Sequence, residues 1–288
     1  MATFKDFRNN IKPNWCPGCG DFSVQAAIQR ACANVGYEPE QVAVVSGIGC
    51  SGRISGYINA YGFHSIHGRS LPVAQGLKLA NRELAVIASG GDGDGFAIGM
   101  GHTVHAIRRN IDVTYIVMDN QIYGLTKGQT SPRSASGFKT KSTPTGSIET
   151  TLSPLEMALA AGATFVAQSF STDLKQLTAV IEAGMNHKGF SLINVFSPCV
   201  TFNKVNTYEW FKERVVSTDS FDGYDASNKM MAMQKVLETD GMITGIVYQN
   251  KEKPSYEQQL PGFQEIGLAK QNITLTKDQF DKLVAEFN

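Results

Sequence analysis

The sequence lacks the features that would draw it to nucleic acid or into a membrane. Its 26 basic and 26 acidic residues cancel, so the chain of 288 residues has no net charge with which to attract a polyanion. No apolar run is long enough to cross a bilayer, and residues 1–10 lack the apolar core of a signal peptide. We therefore expect a cytoplasmic protein that binds neither nucleic acid nor membranes.

Cysteine is also scarce, and its odd count of five argues against a disulfide framework. In a reducing compartment, thiols more often bind metal than pair with each other. Cys16 and Cys19 form a C-x-x-C pair whose Pro and Gly make a tight turn, while Cys50 and Cys199 each follow a predicted strand. These four thiols could hold a [4Fe–4S] cluster or a structural Zn²⁺. We expect Cys32 to pack inside a helix.

Short apolar runs alternate with helical segments along the first two thirds of the chain. Strands are predicted at 42–46, 84–89, 113–118, 164–167 and 191–196, and helices at 24–34, 73–80, 96–109, 154–161 and 173–186. This alternation is typical of an α/β fold with a doubly wound, mainly parallel sheet, whose ligands bind at the carboxyl ends of the strands. We expect residues 1–203 to form the cofactor-binding domain and 204–288 an irregular C-terminal extension ending in a helix at 277–287. Residues 126–153 form a long loop without periodicity.

A glycine-rich turn at 47–52 fits the dinucleotide-binding pattern G-x-G-x-x-G. That fold also needs an acidic residue about 20 positions later to bind the ribose. The chain has no Asp or Glu between Glu40 and Glu83. We therefore reject a nicotinamide-binding site.

A metal–diphosphate site is predicted where two buried strands end. Asp92 lies in the run Gly91-Asp92-Gly93-Asp94-Gly95, and Asn120 follows the next strand 28 positions later. Carboxylate and amide oxygens at neighbouring strand ends suit Mg²⁺, and the helix that begins near residue 95 favours bound phosphate.

This pattern resembles the thiamine-diphosphate motif, in which Gly-Asp-Gly precedes Asn-Asn, although Asp119 replaces the first Asn here. The resemblance implies Mg²⁺ ligands from Asp92, Asn120 and the Ile122 carbonyl, with Asp94 as an alternative to Asp92. It also implies contacts to the diphosphate from Gly93, Asp94, Gly124 and Leu125.

Taken together, six motifs resemble those of the β subunits of 2-oxoacid:ferredoxin oxidoreductases. They are W-C-P-G-C-G at 15–20, S-G-I-G-C-S at 46–51, H-G-R at 67–69, G-D-G-D-G at 91–95, Y-G-L-T-K-G-Q-x-S-P at 123–132 and S-P-C at 197–199. The resemblance implies thiamine diphosphate bound with Mg²⁺ and a [4Fe–4S] cluster on Cys16, Cys19, Cys50 and Cys199. It also implies thiamine contacts from Ile48, Gly49, Cys50, Ser51 and His67.

The implied reaction is the oxidation of a 2-oxoacid, either 2-oxoglutarate or pyruvate, with coenzyme A and ferredoxin, to give acyl-CoA and CO₂. No glutamate of this chain can be assigned as the catalytic base, so we expect an α subunit to supply it, in an αβ or α₂β₂ assembly. Arg53 and Lys127 are candidates for binding the substrate carboxylate. Two alternatives remain: a non-oxidative thiamine-dependent decarboxylase or lyase subunit with a structural Cys₄ metal site, and a non-catalytic cofactor-binding assembly subunit.

Overall fold

The computed structural model describes residues 1–260 and 267–287. Eight strands form one sheet: β1 (Val42–Ser46), β2 (Tyr61–His64), β3 (Ala85–Gly91), β4 (Thr114–Asp119), β5 (Phe165–Phe170), β6 (Ser191–Phe196), β7 (Val216–Ser217) and β8 (Ile243–Gln249). Their order across the sheet is β2-β1-β3-β4-β6-β5-β8-β7. Neighbouring strands are parallel except β5 and β8, which pair antiparallel. The sheet is therefore mainly parallel, as the sequence predicts.

Helices cover both faces of the sheet. The longer helices are α1 (Asp21–Val35), α2 (Ser70–Ala80), α3 (Met100–Arg109), α4 (Pro154–Ala160), α5 (Leu174–Asn186) and α7 (Lys229–Glu238). The others are α6 (Tyr208–Lys212), α8 (Tyr256–Gln259) and the C-terminal α9 (Lys277–Ala285). One apolar core lies between the sheet and α2, α3, α4 and α7, and a second lies between the sheet and α1 and α5.

The central strands are apolar on both sides because both of their faces are buried. In β1, Ala43 and Val45 belong to the first core, whereas Val42 and Val44 belong to the second. Burying each of the three valine side chains contributes about 1.5–3 kcal/mol relative to leaving it exposed. The continuous apolar run, rather than an alternating one, is thus a consequence of the two helical layers.

Three strands were not predicted, and two of them lie in the C-terminal extension. β8 joins the main sheet at β5, and β7 pairs with β8. The side chain of Gln168 on β5 donates hydrogen bonds to the carbonyls of Gly241 and Ile243 at distances of 2.7 Å each. The extension is thereby tied to the core of the sheet, while the domain boundary at residue 203 stays a prediction.

The helix predicted at 96–109 is divided in the structure. Asp94–Ile98 forms a π-helical turn, and α3 begins only at Met100. The amide of Gly99 donates to the carbonyl of Asp94 at 3.0 Å, which closes the wider turn. Such turns often occur at functional sites. Within the described residues, none of the helices combines the length and apolar character that crossing a membrane requires.

Candidate active site

A cleft opens at the carboxyl edge of the sheet, where the loops after β1, β3 and β4 meet. The chain runs from β1 outward to β2 and then back across β1 to β3, so the direction of winding changes between β1 and β3. In open α/β sheets this switch point is where ligands bind. The cleft has a volume of about 100 Å³.

Every residue predicted to contact the cofactor or its metal lines this cleft: Ile48, Gly49, Cys50, Ser51, His67, Asp92, Gly93, Asp94, Asn120, Ile122, Gly124 and Leu125. No glutamate lines it in the part of the chain that the structure describes. The structure therefore brings these residues together, while their individual binding roles stay predictions.

Asp92 lies at the floor of the cleft, directly after β3, and is 1% exposed. One of its carboxylate oxygens, Oδ2, accepts a hydrogen bond from the Ser131 hydroxyl. Burial and the neighbouring Asp119 carboxylate raise the pKa of Asp92 to about 8. A buried acid of this kind becomes a good ligand when a divalent cation replaces its proton.

Asn120 and Ile122, the other two proposed metal ligands, line the same cleft as Asp92. Gln121 has a left-handed backbone conformation, with φ of +58°, and this bends the chain sharply after β4. The bend brings the Ile122 amide within 3.0 Å of the Asn120 Oδ1 atom. An amide oxygen has two lone pairs, so Oδ1 can accept this hydrogen bond and still bind a cation. Asn203 holds the segment from outside by donating to the Asn120 carbonyl at 3.1 Å.

The chemistry of these donors fits Mg²⁺ with a diphosphate. A hard cation takes oxygen ligands and keeps several positions for phosphate and water. The buried Ser51 hydroxyl also lines the cleft and has no hydrogen-bond partner among the described residues. At Gly93, an added Cβ would lie 2.1 Å from the Tyr123 ring, so only glycine allows the ring to close over this turn.

Asp94, the alternative metal ligand, is engaged by the protein itself. Its Oδ1 atom accepts from the amides of Ile48 at 3.0 Å and Gly68 at 2.8 Å, and it lies 2.5 Å from His67 Nδ1. The carboxylate thus joins the loops that follow β1 and β2 to the turn after β3. This geometry favours Asp92 as the metal ligand and Asp94 as the residue that positions the surrounding loops.

Four of the five cysteines gather beside the cleft. An added Cβ at Gly124 would lie 3.5 Å from the Cys199 sulfur and 3.6 Å from the Cys50 sulfur, so the two thiols flank this glycine. Burial raises the pKa of Cys50 to about 12, with further contributions from Asp21, Cys199 and Cys16. Burial likewise raises the pKa of Cys19, helped by Asp21, Cys50 and Cys199. The Cys19 amide donates to the Cys16 carbonyl at 3.0 Å, so these two cysteines share one turn.

Hydrogen bonds fix the positions of the loops that carry the cysteines. The Trp15 indole donates to the Cys50 carbonyl at 2.7 Å, and the Tyr208 hydroxyl donates to the Gly18 carbonyl at 2.8 Å. The Phe202 amide lies 3.5 Å from the Cys199 sulfur, as a donor to a thiolate would. Across residues 1–260 and 267–287, no three His, Cys, Asp or Glu side chains lie close enough to share a single ion. Cys32 is fully buried in the second core, as expected.

Arg53 and Lys127 do not line the cleft, and both are exposed. Their backbone amides nevertheless anchor them beside it, because Arg53 donates to the Cys50 carbonyl at 3.2 Å and Lys127 to the Gly124 carbonyl at 3.1 Å. Lys127 has φ of +76°, a conformation that is costly for a residue with a side chain. A role in substrate binding stays a prediction for both.

Sequence reasoning missed the contribution of the long loop. Ser131 and Arg133 are buried beneath the cleft and bind the side chains of Asp92 and Asp119. One signal was available: Asp119 ends a fully buried strand, and a buried carboxylate needs a cationic partner. Nothing in the loop's composition indicated which residue would supply the charge.

The fold and the site define the class of protein: an α/β domain of the thiamine-diphosphate-binding type. Residues 47–195 match the family described as "Thiamine pyrophosphate enzyme, C-terminal TPP binding domain". Residues 199–265 match the family described as the C-terminal part of the pyruvate ferredoxin oxidoreductase beta chain.

Relatives identify the family within this class. The chain is 39% identical to 2-oxoacid:ferredoxin oxidoreductase 2, subunit beta, of Aeropyrum pernix, over 96% of this chain and 94% of the relative. It is 44% identical to the corresponding subunit of Saccharolobus solfataricus, over 86% and 85%. A solved structure of 2-oxoglutarate:ferredoxin oxidoreductase from Magnetococcus marinus, with 2-oxoglutarate, coenzyme A and succinyl-CoA bound, superposes with a TM-score of 0.90 at 37% identity, over 98% of this chain and 96% of that one.

The chain therefore belongs to the 2-oxoacid:ferredoxin oxidoreductase β subunits, which confirms the resemblance seen in its motifs. It is an oxidoreductase subunit with a thiamine-diphosphate-binding domain, and the name of the family implies an α subunit as its partner.

Proposed function

We propose that this chain, assembled with an α subunit, oxidises a 2-oxoacid in the presence of coenzyme A and passes the electrons to ferredoxin. One observation carries the proposal: Gly124 lines the cofactor cleft and also lies against Cys50 and Cys199. A cofactor in the cleft would thus lie next to a metal centre on the cysteines, since Cys50 itself lines the cleft.

In this proposal Mg²⁺ is bound by Asp92, Asn120 and the Ile122 carbonyl. The loops at 48–51 and 93–94, with His67, Gly124 and Leu125, surround the diphosphate and the thiamine. When bound, thiamine diphosphate supplies the carbon nucleophile needed to decarboxylate a 2-oxoacid. The chain's own part is to orient that group and to exclude water from it.

The four cysteines are proposed to bind a [4Fe–4S] cluster. Four thiolates could bind Zn²⁺ or, each at a different corner, an iron–sulfur cube. Zinc cannot accept an electron, whereas the proposed reaction releases two, and this favours the cluster. The Phe202 amide beside Cys199 provides the kind of hydrogen bond that tunes a cluster's potential.

The α subunit is proposed to complete the site. No described glutamate lines the cleft, so the base that activates the thiamine would come from the partner. Leu125, which is 55% exposed at the rim, would be covered by the partner or the substrate. Arg53 and Lys127 are proposed to bind the substrate carboxylate. The solved relative contains 2-oxoglutarate, which makes 2-oxoglutarate the first substrate to test, ahead of pyruvate.

The test is anaerobic purification of the αβ assembly, followed by metal analysis and assays with several 2-oxoacids. We expect four irons and four sulfides per β subunit and reduction of ferredoxin that depends on coenzyme A. The isolated β subunit, at full cofactor occupancy, should be inactive. Zinc without iron, together with decarboxylation that needs no electron acceptor, would instead establish the non-oxidative alternative. Normal turnover by β alone would contradict the role assigned to α.

A further inference from the structure

The loop between β4 and α4 carries buried polar residues that reach beneath the proposed metal site. Residues 126–153 contain no helix or strand, yet Ser131, Arg133 and Ser134 are 5%, 7% and 3% exposed. Exposed loops do not ordinarily bury three polar side chains together. These three side chains can be buried because each makes hydrogen bonds to other parts of the protein.

Each of the three side chains holds a different part of the site. The Ser131 hydroxyl donates to Asp92 Oδ2, and the Arg133 Nε donates to Asp119 Oδ2 at 2.8 Å. The Ser134 hydroxyl donates to the Gln121 carbonyl at 2.7 Å. We call Ser131, Arg133 and Ser134 the latch, because together they fasten the loop to the strand ends of β3 and β4.

The ion pair between Arg133 and Asp119 compensates for a substitution in the motif, since Asp119 stands where the Asn-Asn pattern has its first asparagine. Asp119 is completely buried and directly precedes Asn120, another proposed metal ligand. The side-chain exposures of Arg133 and Asp119 are 8% and 0%, so the pair is desolvated. Arg133 offsets the extra carboxylate and leaves Asp92 as the negative charge available to a cation. A charged pair therefore occupies the place where the motif has a neutral amide.

The 126–153 loop is also held by hydrogen bonds near its C-terminal end. The Leu152 amide donates to the Pro132 carbonyl at 2.9 Å, and the Thr151 hydroxyl donates to the Ser134 carbonyl at 3.1 Å. The loop is thus fastened near both of its ends, while Lys139 and Lys141 between them are exposed.

We propose that Ser131 and Arg133 are positioning residues for the divalent cation: Ser131 fixes the orientation of Asp92, and Arg133 neutralises Asp119, so that metal binding and closure of the 126–153 loop stabilise each other. This inference rests on the proposed function, since it assumes that Asp92 binds Mg²⁺. The coupling is reciprocal by thermodynamic necessity, because an ion that orders Asp92 also orders the acceptor of the Ser131 hydroxyl. Outer partners of metal ligands commonly change metal affinity by about 10- to 100-fold.

The first test compares Ser131→Ala with Ser136→Ala, an exposed serine of the same loop. The αβ assembly is stripped of cofactor with a chelator, and Mg²⁺ is titrated at saturating thiamine diphosphate while binding is followed by calorimetry. We expect Ser131→Ala to raise the apparent Kd for Mg²⁺ about tenfold and to lower the melting midpoint of the metal-free protein by about 2–5 °C. Ser136→Ala should match the wild type, and Ser131→Thr, which keeps the hydroxyl, should recover most of the affinity.

The second test uses trypsin, which can cut the open loop after Lys139 and Lys141. Arg133→Met leaves the buried Asp119 carboxylate without a cationic partner, with only the Asn194 amide still donating to it at 3.2 Å, so the loop should open and be cut about tenfold faster or more. Asp119→Asn combined with Arg133→Met removes both charges and should restore protection close to that of the wild type. Mg²⁺ with thiamine diphosphate should slow cleavage in the wild type but not in Ser131→Ala.

The possible outcomes distinguish a failure of the proposed function from a failure of the role proposed for the latch. If the wild type binds thiamine diphosphate without needing a divalent cation, the proposed function fails, and the latch fails with it. If the wild type needs Mg²⁺ but Ser131→Ala has wild-type affinity, the latch alone is overturned. A double variant that is cut as fast as Arg133→Met would likewise overturn the role of the ion pair.

Discussion

Replacing Asp94 by asparagine should damage the fold of the site, whereas the same change at Asp92 should remove the metal and leave the fold intact. Both side chains are buried, at 2% and 1% exposure, and both follow β3. They differ in their partners. Asp94 accepts three hydrogen bonds through one oxygen, from Ile48, Gly68 and His67.

The loss of stability expected for Asp94→Asn follows from those three hydrogen bonds. A hydrogen bond to a charged group contributes about 1.5–3 kcal/mol, and one between neutral groups about 0.5–1.5 kcal/mol. Each bond should therefore lose about 1 kcal/mol when the carboxylate becomes an amide, giving a total of about 3 kcal/mol. For a chain of this size such a loss lowers the melting midpoint by roughly 5 °C. Asp92→Asn keeps an oxygen that can accept from Ser131 and should change the midpoint by no more than about 2 °C.

The assay is thermal unfolding of the metal-free αβ assembly, combined with Mg²⁺-dependent binding of thiamine diphosphate. We expect Asp94→Asn to melt early and to retain weakened, Mg²⁺-dependent binding. Asp92→Asn should melt normally and lose the dependence on Mg²⁺. The opposite result, normal melting with loss of Mg²⁺ dependence in Asp94→Asn, would show that the metal is bound by Asp94 and would refute our interpretation of the Gly-Asp-Gly-Asp-Gly turn.

Three further predictions concern the cysteines, a buried histidine and the substrate. Cys50→Ser should remove most of the iron and its low-temperature EPR signal on reduction, while Cys32→Ala should keep both; a full cluster in Cys50→Ser would exclude that ligand. Burial lowers the pKa of His187 to about 4, so the folded state binds no proton there between about pH 4 and 6.5, whereas the unfolded chain does. Its contribution to stability is complete above about pH 6.5 and declines by at most about 3 kcal/mol as the pH falls to about 4. His187→Gln, which can still bond to Thr164, should show a weaker loss of stability over that range in denaturant titrations; an identical pH profile would contradict the assignment. Lys127→Ala should raise KM for the 2-oxoacid by about tenfold, the worth of roughly 1.4 kcal/mol, without changing the affinity for thiamine diphosphate, and an unchanged KM would remove Lys127 from the substrate site.

The central sheet and the gathering of the cleft residues could be predicted because both follow from local patterns. Apolar runs buried on both faces indicated β1, β3, β4, β5 and β6, and parallel strands necessarily bring their carboxyl ends to one edge. Once Asp92 and Asn120 were placed at neighbouring strand ends, their proximity needed no further information. The same reasoning placed Cys50 and Cys199 beside them.

What could not be predicted depends on contacts between distant segments. β2 is the exposed edge strand Tyr61–His64, and β7 has only two residues, so neither has a distinctive apolar pattern. β8 is a run rich in β-branched residues that the sequence analysis overlooked within a polar region, whereas its antiparallel pairing with β5 is fixed by the folded chain rather than by local sequence. The assignment of Asp92 as the metal ligand and Asp94 as a positioning residue likewise depends on where the folded chain places the amides of Ile48 and Gly68.

The position of Gly124 has a consequence for how the enzyme can move. In the proposed enzyme, the cleft that holds the electron donor lies at strand ends of one continuous sheet, as do Cys50 and Cys199 among the ligands of the acceptor, and Cys50 also lines the cleft. The gap across which an electron must tunnel is then a property of this chain's own framework. The partner is free to open, close or rotate as substrates exchange while that gap, and with it the speed of the first electron's departure, stays the same.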